Sequence, residues 1–217
     1  MTEKYVKVTF PETQNFMDHP RWSECIFCME IQDHPCEDST FMIPESLYNE
    51  IMEQQCKILF IDLDGTLINT FSGETFPRGI WDMEFRFDVW DKIKELNPKC
   101  IFIVSNQGGI EKGFVNEDKF ITKMDYIANA LSEYTGIENV YYDFCTTNNK
   151  NDRYRKPNPG ILEEISENSI HAKKYGKHEM LMIGDASGKP GQFSDSDKKC
   201  AENFGIDYID VEDFLET

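Results

Sequence analysis

Two aspartates separated by one residue, Asp62 and Asp64, end an apolar run in the segment "ILFIDLDGTL" at residues 58–67. Gly65 permits a bend at this point, so both carboxylates can face one pocket. An ionised carboxylate such as Asp62 can attack phosphorus, and Asp64 can act as a general acid and base. Asp and Gly are also common turn residues, so an ordinary turn is the alternative for the pair alone.

Other polar residues follow other short apolar runs. Ser105 and Asn106 end "KCIFIVSN" (99–106), and Asp185 follows "EMLMIG" (179–184). Mg²⁺ held by Asp62, Asp185 and the backbone carbonyl of Asp64 would offset the repulsion between an anionic nucleophile and an anionic phosphate.

A second group of residues is expected to hold the phosphoryl oxygens. Ser105 and Lys156 would bind them directly, and backbone N–H groups near Leu63–Gly65 and Asn106–Gln107 would complete the cradle. The predicted binding residues beside them are Gly65, Thr66, Asn106 and Arg155. Taken alone, Lys156 would be read as a solvated surface lysine, but it lies in the rigid turn "YRKPNPG" (154–160).

Asp197 has two readings. With Ser194 three residues earlier, it forms a pattern typical of a capping box at the start of a helix. It can also steady Lys156 or the metal ligands, and both alternatives stay open at this point.

The elements that must position these residues alternate along the chain. Short apolar runs predict strands at 57–62, 99–106, 140–147, 179–186 and 206–211, and most of them are continuously apolar, which is typical of parallel strands. Helices are predicted near 85–97, 158–172 and 194–204, and from Asn116 as N-cap to Gly136. This order predicts an α/β fold, a doubly wound (Rossmann-like) parallel sheet flanked by helices, whose ligand crevice lies at the carboxyl ends of the strands.

The sequence predicts two domains, a small N-terminal module at 1–55 and the α/β domain at 56–217. The module contains a C-x₂-C pair and nearby histidines, which predict either a structural Zn²⁺ site or thiols that are buried or free. The residues concerned are His19, Cys25, Cys28, His34 and Cys36. A helix opened by Pro44 is predicted to follow, and partner docking is a further role for the module.

Composition excludes several classes of function. The chain has 217 residues, with 22 basic and 40 acidic ones, for a formal charge of −18. This charge argues against broad binding to duplex nucleic acid or to an anionic membrane. The first residues lack a signal peptide and no apolar stretch approaches membrane-spanning length, so we expect a cytoplasmic protein without a membrane partner.

Four motifs, taken together, resemble those of the haloacid dehalogenase superfamily of phosphotransferases. They are "DLDGT" (62–66), Ser105, Lys156 in "RKP", and "GDASG" (184–188), and the match covers residues 57–217. The resemblance implies an aspartyl nucleophile at Asp62, a general acid and base at Asp64, and an essential Mg²⁺.

Further segments resemble the polynucleotide kinase 3′-phosphatase branch of that superfamily. They are "SGETFP" (72–77), "SNQGGIEKG" (105–113), "YRKP" (154–157) and "GDASGKPGQFSDSDKKCAENFGI" (184–206). The resemblance implies a 3′-phosphorylated nucleic-acid end as substrate, and with it a role in DNA repair. No G-x-x-x-x-G-K-[ST] motif occurs, so no kinase domain is expected in this chain.

The charge pattern leaves the substrate open. A local positive crevice is predicted from Lys150, Arg153, Arg155 and Lys156, with Arg78, Lys112 and Lys189 nearby. Trp81 and Tyr154 are candidates for stacking on a terminal base, with ordinary partial burial as their alternative. A small phosphomonoester is the first rival substrate, and a catalytically idle scaffold with a partner-binding N-terminal module is the second rival.

Overall fold

The computed structural model describes residues 5–9, 40–44, 56–74, 77 and 79–217. The chain divides into two compact units, Met1–Met52 and Glu53–Thr217. In the first unit, strands β1 (Tyr5–Thr9) and β2 (Thr40–Pro44) pair in antiparallel fashion. The predicted zinc ligands, and the residues after Pro44 in the predicted helix, lie outside the described residues. The predicted ligands are His19, Cys25, Cys28, His34 and Cys36.

A five-stranded parallel sheet forms the centre of the second unit. The strands of this unit are β3 (Ile58–Ile61), β4 (Ile68–Thr70), β5 (Met83–Phe85), β6 (Cys100–Asn106), β7 (Val140–Cys145), β8 (Met180–Gly184) and β9 (Asp207–Asp210). The sheet order is β7-β6-β3-β8-β9, and all its neighbours are parallel. The predicted α/β fold is therefore confirmed. Each of its five strands lies within its predicted range. Counting both ends together, each observed strand is one to three residues shorter than predicted.

Apolar residues cover both faces of this sheet, which explains why its strands are not alternating in sequence. On β3, Leu59 and Ile61 pack into one buried cluster, whereas Ile58 and Phe60 pack into the other. Both clusters exclude water, so every side chain of the strand contributes to the core. The strand is therefore held by packing on both faces up to Ile61, the residue before Asp62.

Helices lie on both faces of the sheet. They are α1 (Phe87–Leu96), α2 (Glu117–Thr135), α3 (Gly160–Asn168), α4 (Ser196–Phe204) and α5 (Val211–Glu216), with short 3₁₀ turns at Ile80–Asp82 and Lys177–Glu179. The α2 boundaries are as predicted, because Asn116 Oδ1 accepts a hydrogen bond from the Lys119 N–H and Gly136 adopts the left-handed conformation. Helix α5 was not predicted.

An antiparallel hairpin of β4 and β5 follows the Asp62–Asp64 segment and was also missed by the sequence analysis. Its strands have three residues each, too few for a periodic pattern. Buried Asp82 accepts hydrogen bonds from the Ser72 N–H (2.7 Å) and hydroxyl (2.8 Å), which join the ends of the connecting loop. The Trp90 indole donates to the Leu67 carbonyl at 3.1 Å and holds the start of the hairpin against α1.

Among the described residues, no helix has the length and apolar character that crossing a membrane requires.

Candidate active site

Two carboxylates meet where neighbouring strands of the sheet end. Ile61 of β3 is paired with Ile183 of β8, and the Asp62 N–H donates to the Ile183 carbonyl at 2.9 Å. Asp62 and Asp185 therefore follow adjacent strand ends, beside the point where the sheet order reverses. One carboxylate oxygen from each of Asp62, Asp185 and Asp197 lies within 4.8 Å of the other two.

Lys156 is buried among these carboxylates. Its Nζ lies 2.5 Å from Asp62 Oδ1 and 2.8 Å from Asp197 Oδ1, and it also donates to the Val104 carbonyl at 2.7 Å. Only 4 % of the residue is exposed, so the surface alternative for Lys156 is wrong. Burial alone lowers the pKa of Lys156, but Asp197 and Asp62 outweigh that effect and raise it above its usual range.

The carboxyl groups respond to burial in the opposite direction. Burial raises the pKa of Asp62, and the Lys156 ammonium opposes that rise. Burial, followed by repulsion from Asp197, raises the pKa of Asp185 from 3.8 to about 6. Ionised Asp185 is thus costly in the bare protein, which favours a positive ion beside it.

Asp197 does not cap helix α4. The N-cap residue is Asp195, which makes no side-chain capping bond, and the Ser194 hydroxyl accepts from the Ser196 N–H instead. Asp197 Oδ2 accepts from the Ala186 N–H at 3.2 Å, while Oδ1 binds Lys156. The capping-box reading is wrong, and Asp197 steadies Lys156. Asp62, Asp185 and Asp197 are the carboxylates grouped closely enough to hold a cation, and Asp62 and Asp197 also bind Lys156.

Asp64 lies beside a glutamine that the sequence analysis considered for its backbone alone. Gln107 Nε2 donates to Asp64 Oδ2 and to Ser105 Oγ, both at 2.8 Å. In the described part of the chain, Asp64 Oδ1 and Thr66 Oγ1 are the buried side-chain polar atoms without a hydrogen-bond partner. Buried groups of this kind are normally satisfied, so these two atoms can still accept a hydrogen bond from a bound molecule or donate one to it.

The backbone at Gly65 passes so close to the Asp185 side chain that only glycine fits there. The φ of Gly65 is +84°, in the left-handed region, and a Cβ at this position would collide with Oδ2 of Asp185. A glycine therefore lets the Asp62–Asp64 segment pass directly against Asp185. The next residue, Thr66, is fully buried.

Two side chains that were predicted to bind phosphate make hydrogen bonds to the backbone of the protein instead. Asn106 donates to the Lys156 carbonyl (2.9 Å) and accepts from the Lys156 N–H (3.0 Å), so it fixes the backbone of the lysine. Arg155 donates to the Thr147 carbonyl at 2.9 Å. The predicted backbone cradle is also smaller, because the N–H groups of Gly65 and Gln107 donate to the carbonyls of Ile68 and Cys145.

Part of the predicted positive crevice is paired with acidic side chains. Arg153 pairs with Glu163 at 3.3 Å, and Lys189 pairs with both Asp210 (3.1 Å) and Asp213 (2.5 Å). Lys150 and Lys112 are exposed, whereas Arg78 lies outside the described residues. Of the two stacking candidates, Trp81 is 71 % exposed and Tyr154 is 39 % exposed. Trp81 is therefore free to contact a ligand.

Lys123 of α2 was missed. Its Nζ lies 3.8 Å from Asp64 Oδ1, and 14 % of its side chain is exposed. One signal in the sequence was its place between Phe120 and Met124, at the edge of the buried face of α2.

The chain resembles known proteins over most of its second unit. The model of the family described as "Polynucleotide kinase 3 phosphatase" matches residues 57–215. An uncharacterized 20.8 kDa protein of Autographa californica nuclear polyhedrosis virus is 29 % identical over 171 residues, which cover 75 % of this chain and 87 % of the viral one.

Two further proteins extend the comparison. The bifunctional polynucleotide phosphatase/kinase of Schizosaccharomyces pombe is 31 % identical over 167 residues, covering 73 % of this chain but 37 % of the yeast protein. The crystal structure of D,D-heptose 1.7-bisphosphate phosphatase from B. bronchiseptica, complexed with magnesium and phosphate, superposes with a TM-score of 0.55 at 17 % identity. It covers 70 % of this chain and 78 % of the other, and supports the fold.

Proposed function

Because the chain belongs to the polynucleotide kinase 3 phosphatase family, we propose that it removes the 3′-phosphate from nucleic-acid ends, with Mg²⁺ as its cofactor. The chain is a phosphatase of the haloacid dehalogenase type. The observation that carries the proposal is the meeting of Asp62, Asp185 and buried Lys156 at the switch point of the sheet.

The residues present fit a hard divalent cation. Asp62 and Asp185 supply carboxylate oxygens, and the backbone of Asp64 lies three residues beyond the end of β3. Oxygen ligands from one or two carboxylates, completed by water and substrate, are what Mg²⁺ prefers. When bound, the ion neutralises charge on the phosphoryl group and on the nucleophile.

The first chemical step is assigned to Asp62. Its free carboxylate oxygen attacks phosphorus, the bond from phosphorus to the 3′-oxygen breaks, and the electron pair leaves with that oxygen. Asp64 gives its proton to the departing 3′-oxygen, which leaves as an alcohol, and Asp62 becomes an aspartyl phosphate.

In the second step, Asp64 takes a proton from water, and the resulting hydroxide attacks phosphorus and releases inorganic phosphate from Asp62. The Ser105 hydroxyl and the Lys156 ammonium hold phosphoryl oxygens, and the segment at Gly65 and Thr66 lines the same pocket. Asn106 contributes by fixing the backbone of Lys156.

A small phosphomonoester is the second candidate substrate, and a specific observation favours it. Two of the cations predicted to attract a polyanion, Arg153 and Lys189, are paired with acidic side chains, and the net charge is −18. A compact, singly phosphorylated substrate needs no extended basic surface.

One experiment separates these candidates. The protein is incubated with Mg²⁺ and a 3′-phosphorylated oligonucleotide, its 5′-phosphorylated twin, mononucleotides and hexose phosphates. We expect the 3′-phosphorylated oligonucleotide to have the highest kcat/KM. Asp62→Asn should lose at least about 10³-fold in kcat, whereas Asp118→Asn on the exposed side of α2 should match the wild type. Preference for the small substrates would refute the nucleic-acid proposal, and no turnover of any substrate would favour a scaffold.

A further inference from the structure

The two carboxylate oxygens of Asp64 have different surroundings. Oδ2 accepts from Gln107 Nε2 at 2.8 Å, and the same amide nitrogen is tied to Ser105 Oγ. Oδ1 is buried and has no hydrogen-bond partner among the described residues. An amide N–H can only donate, so Oδ2 is held as an acceptor and Oδ1 is the oxygen left for a reactant.

Lys123 faces this second oxygen. It lies in the first half of α2, and its Nζ is 3.8 Å from Asp64 Oδ1. Among the described residues, Asp64 is the carboxylate within ion-pair distance of Lys123. Burial lowers the pKa of Lys123, and Asp64 opposes that effect. A desolvated ammonium is costly without a partner, so a lysine in this place requires the carboxylate that it faces.

The contact is too long for a direct hydrogen bond, since such bonds join atoms about 2.7–3.2 Å apart. At this distance Lys123 acts on Oδ1 through its charge, and it stabilises the negative charge that Oδ1 carries once it has given up a proton. Gln107 fixes one oxygen by a hydrogen bond, and Lys123 fixes the direction of the other by charge.

We propose that Lys123 is a positioning residue: together with Gln107, it sets the orientation of the Asp64 carboxyl group so that Oδ1 faces the oxygen of the departing alcohol. This inference rests on the proposed function, in which Asp64 is the general acid and base. The proton moves from Asp64 Oδ1 to the leaving oxygen as the phosphorus–oxygen bond breaks, and it returns from water in the second step. Lys123 itself neither gives nor takes a proton.

A positioning role of this kind predicts a dependence on the leaving group. Nitrophenolate departs without a proton, whereas an alkoxide needs one. In Lys123→Met, the burst rate of nitrophenolate from p-nitrophenyl phosphate should stay within about twofold of the wild type. The single-turnover rate on alkyl phosphates and on the 3′-phosphorylated oligonucleotide should fall by about 10- to 100-fold, part of the 10²–10⁴ that general acid catalysis supplies.

The matched control is Lys119→Met, which removes the same charge from an exposed position one turn earlier on α2. It should leave both rates unchanged. A double-mutant cycle gives the second readout: in an Asp64→Asn background, Lys123→Met should slow alkyl phosphates by less than about twofold, because its effect passes through Asp64.

Three outcomes would overturn the proposal: equal loss on nitrophenyl and alkyl substrates, full additivity with Asp64→Asn, or a weaker inhibition by inorganic phosphate in Lys123→Met. The last result would make Lys123 a phosphate-binding residue. Failure of the wild type on the oligonucleotide, with turnover of alkyl phosphates, would refute the nucleic-acid substrate alone. The alkyl phosphates would still decide the role of Lys123.

Discussion

At the scale of single residues, the charge balance of the site depends on Lys156. The sequence analysis assigned this lysine to phosphoryl oxygens, and the structure adds two buried carboxylates, Asp62 and Asp197, to its contacts. The Lys156 ammonium neutralises two carboxylates that would otherwise be buried without a positive charge beside them. A substitution here should therefore affect folding as well as catalysis.

We expect Lys156→Met to destabilise the protein by about 3–5 kcal/mol, since breaking a buried ion pair leaves uncompensated charge behind. Urea unfolding measures the loss. Lys199→Met removes an exposed lysine paired with Asp195 at 2.5 Å, and its effect should be far smaller because solvent screens that pair. Similar losses in the two variants would contradict the compensating role of Lys156.

Asp185 gives a second prediction at this scale. Its pKa is raised from 3.8 to about 6, so the native state binds this proton more tightly than the unfolded chain does. The penalty for ionised Asp185 is full above pH 6 and shrinks as the pH falls toward 3.8. In metal-free protein, Asp185→Asn should raise the melting temperature at about pH 8, and by less at about pH 5.

With Mg²⁺ added at about pH 8, the wild type should have a higher melting temperature than Asp185→Asn, because the ion stabilises the native wild type through Asp185. Below pH 6 the proton competes with the ion, and the stabilisation by Mg²⁺ should weaken. A variant that differs from the wild type by the same amount at both pH values would contradict this account.

At the scale of elements, the loops after β3 and β8 bring the reacting groups together. The loop after β8 is held by buried Asp210, which accepts from the Ser187 hydroxyl (2.5 Å) and from Gln192 Nε2 (2.7 Å) and pairs with Lys189. Lys189 is thus part of the support of this loop. The loop after β3 depends on Gly65, which passes against Asp185.

Two glycines with similar backbone conformations test that close approach. Gly65 has φ +84° and Gly73 has φ +75°, but a Cβ on Gly73 would meet nothing within 4 Å. Both alanine variants carry a left-handed strain of about 1 kcal/mol. Only Gly65→Ala should also displace Asp185 and lower kcat by about 10²-fold in a phosphatase assay. An active Gly65→Ala protein would show that the contact is not needed.

At the scale of the whole molecule, the formal charge of −18 opposes the approach of a polyanion, and salt screens that repulsion. For a long 3′-phosphorylated oligonucleotide, we expect kcat/KM to stay level or rise between about 50 and 200 mM salt. A protein with 6–10 phosphate contacts would lose about 10³- to 10⁵-fold in affinity over that range. A dinucleotide with few charges serves as the control, and a steep loss for the long substrate alone would indicate an extended basic surface.

The division of the chain gives the last prediction. The unit Glu53–Thr217 contains the sheet and the residues of the site, so it has its own core. We expect this fragment to fold cooperatively and to keep its kcat within about threefold of the full chain, as an autonomous domain would. Loss of cooperative melting or of activity in the fragment would show that residues 1–52 are required.

Much of this fold follows from local pattern. Continuous apolar runs indicated the strands, because a parallel strand buried on both faces has no polar side to reveal. Asn116 and Gly136 marked the ends of α2 through capping chemistry that depends on a few adjacent residues. Asp62 and Asp185 were expected together because parallel strands end at one edge of a sheet, and the two carboxylates do lie together.

The partners of the charged side chains depend on elements distant in the chain. Lys156 meets Asp197 only when α4 packs beside the sheet, and Lys123 reaches Asp64 only when α2 packs beside the loop after β3. Lys189, in the loop after β8, meets Asp210 at the end of β9. Periodicity places a residue on one face of its own element. Whether that residue forms an ion pair depends on distances of a few ångströms to residues on other elements. That precision comes from the packing of several elements against one another, which no single segment of the sequence encodes.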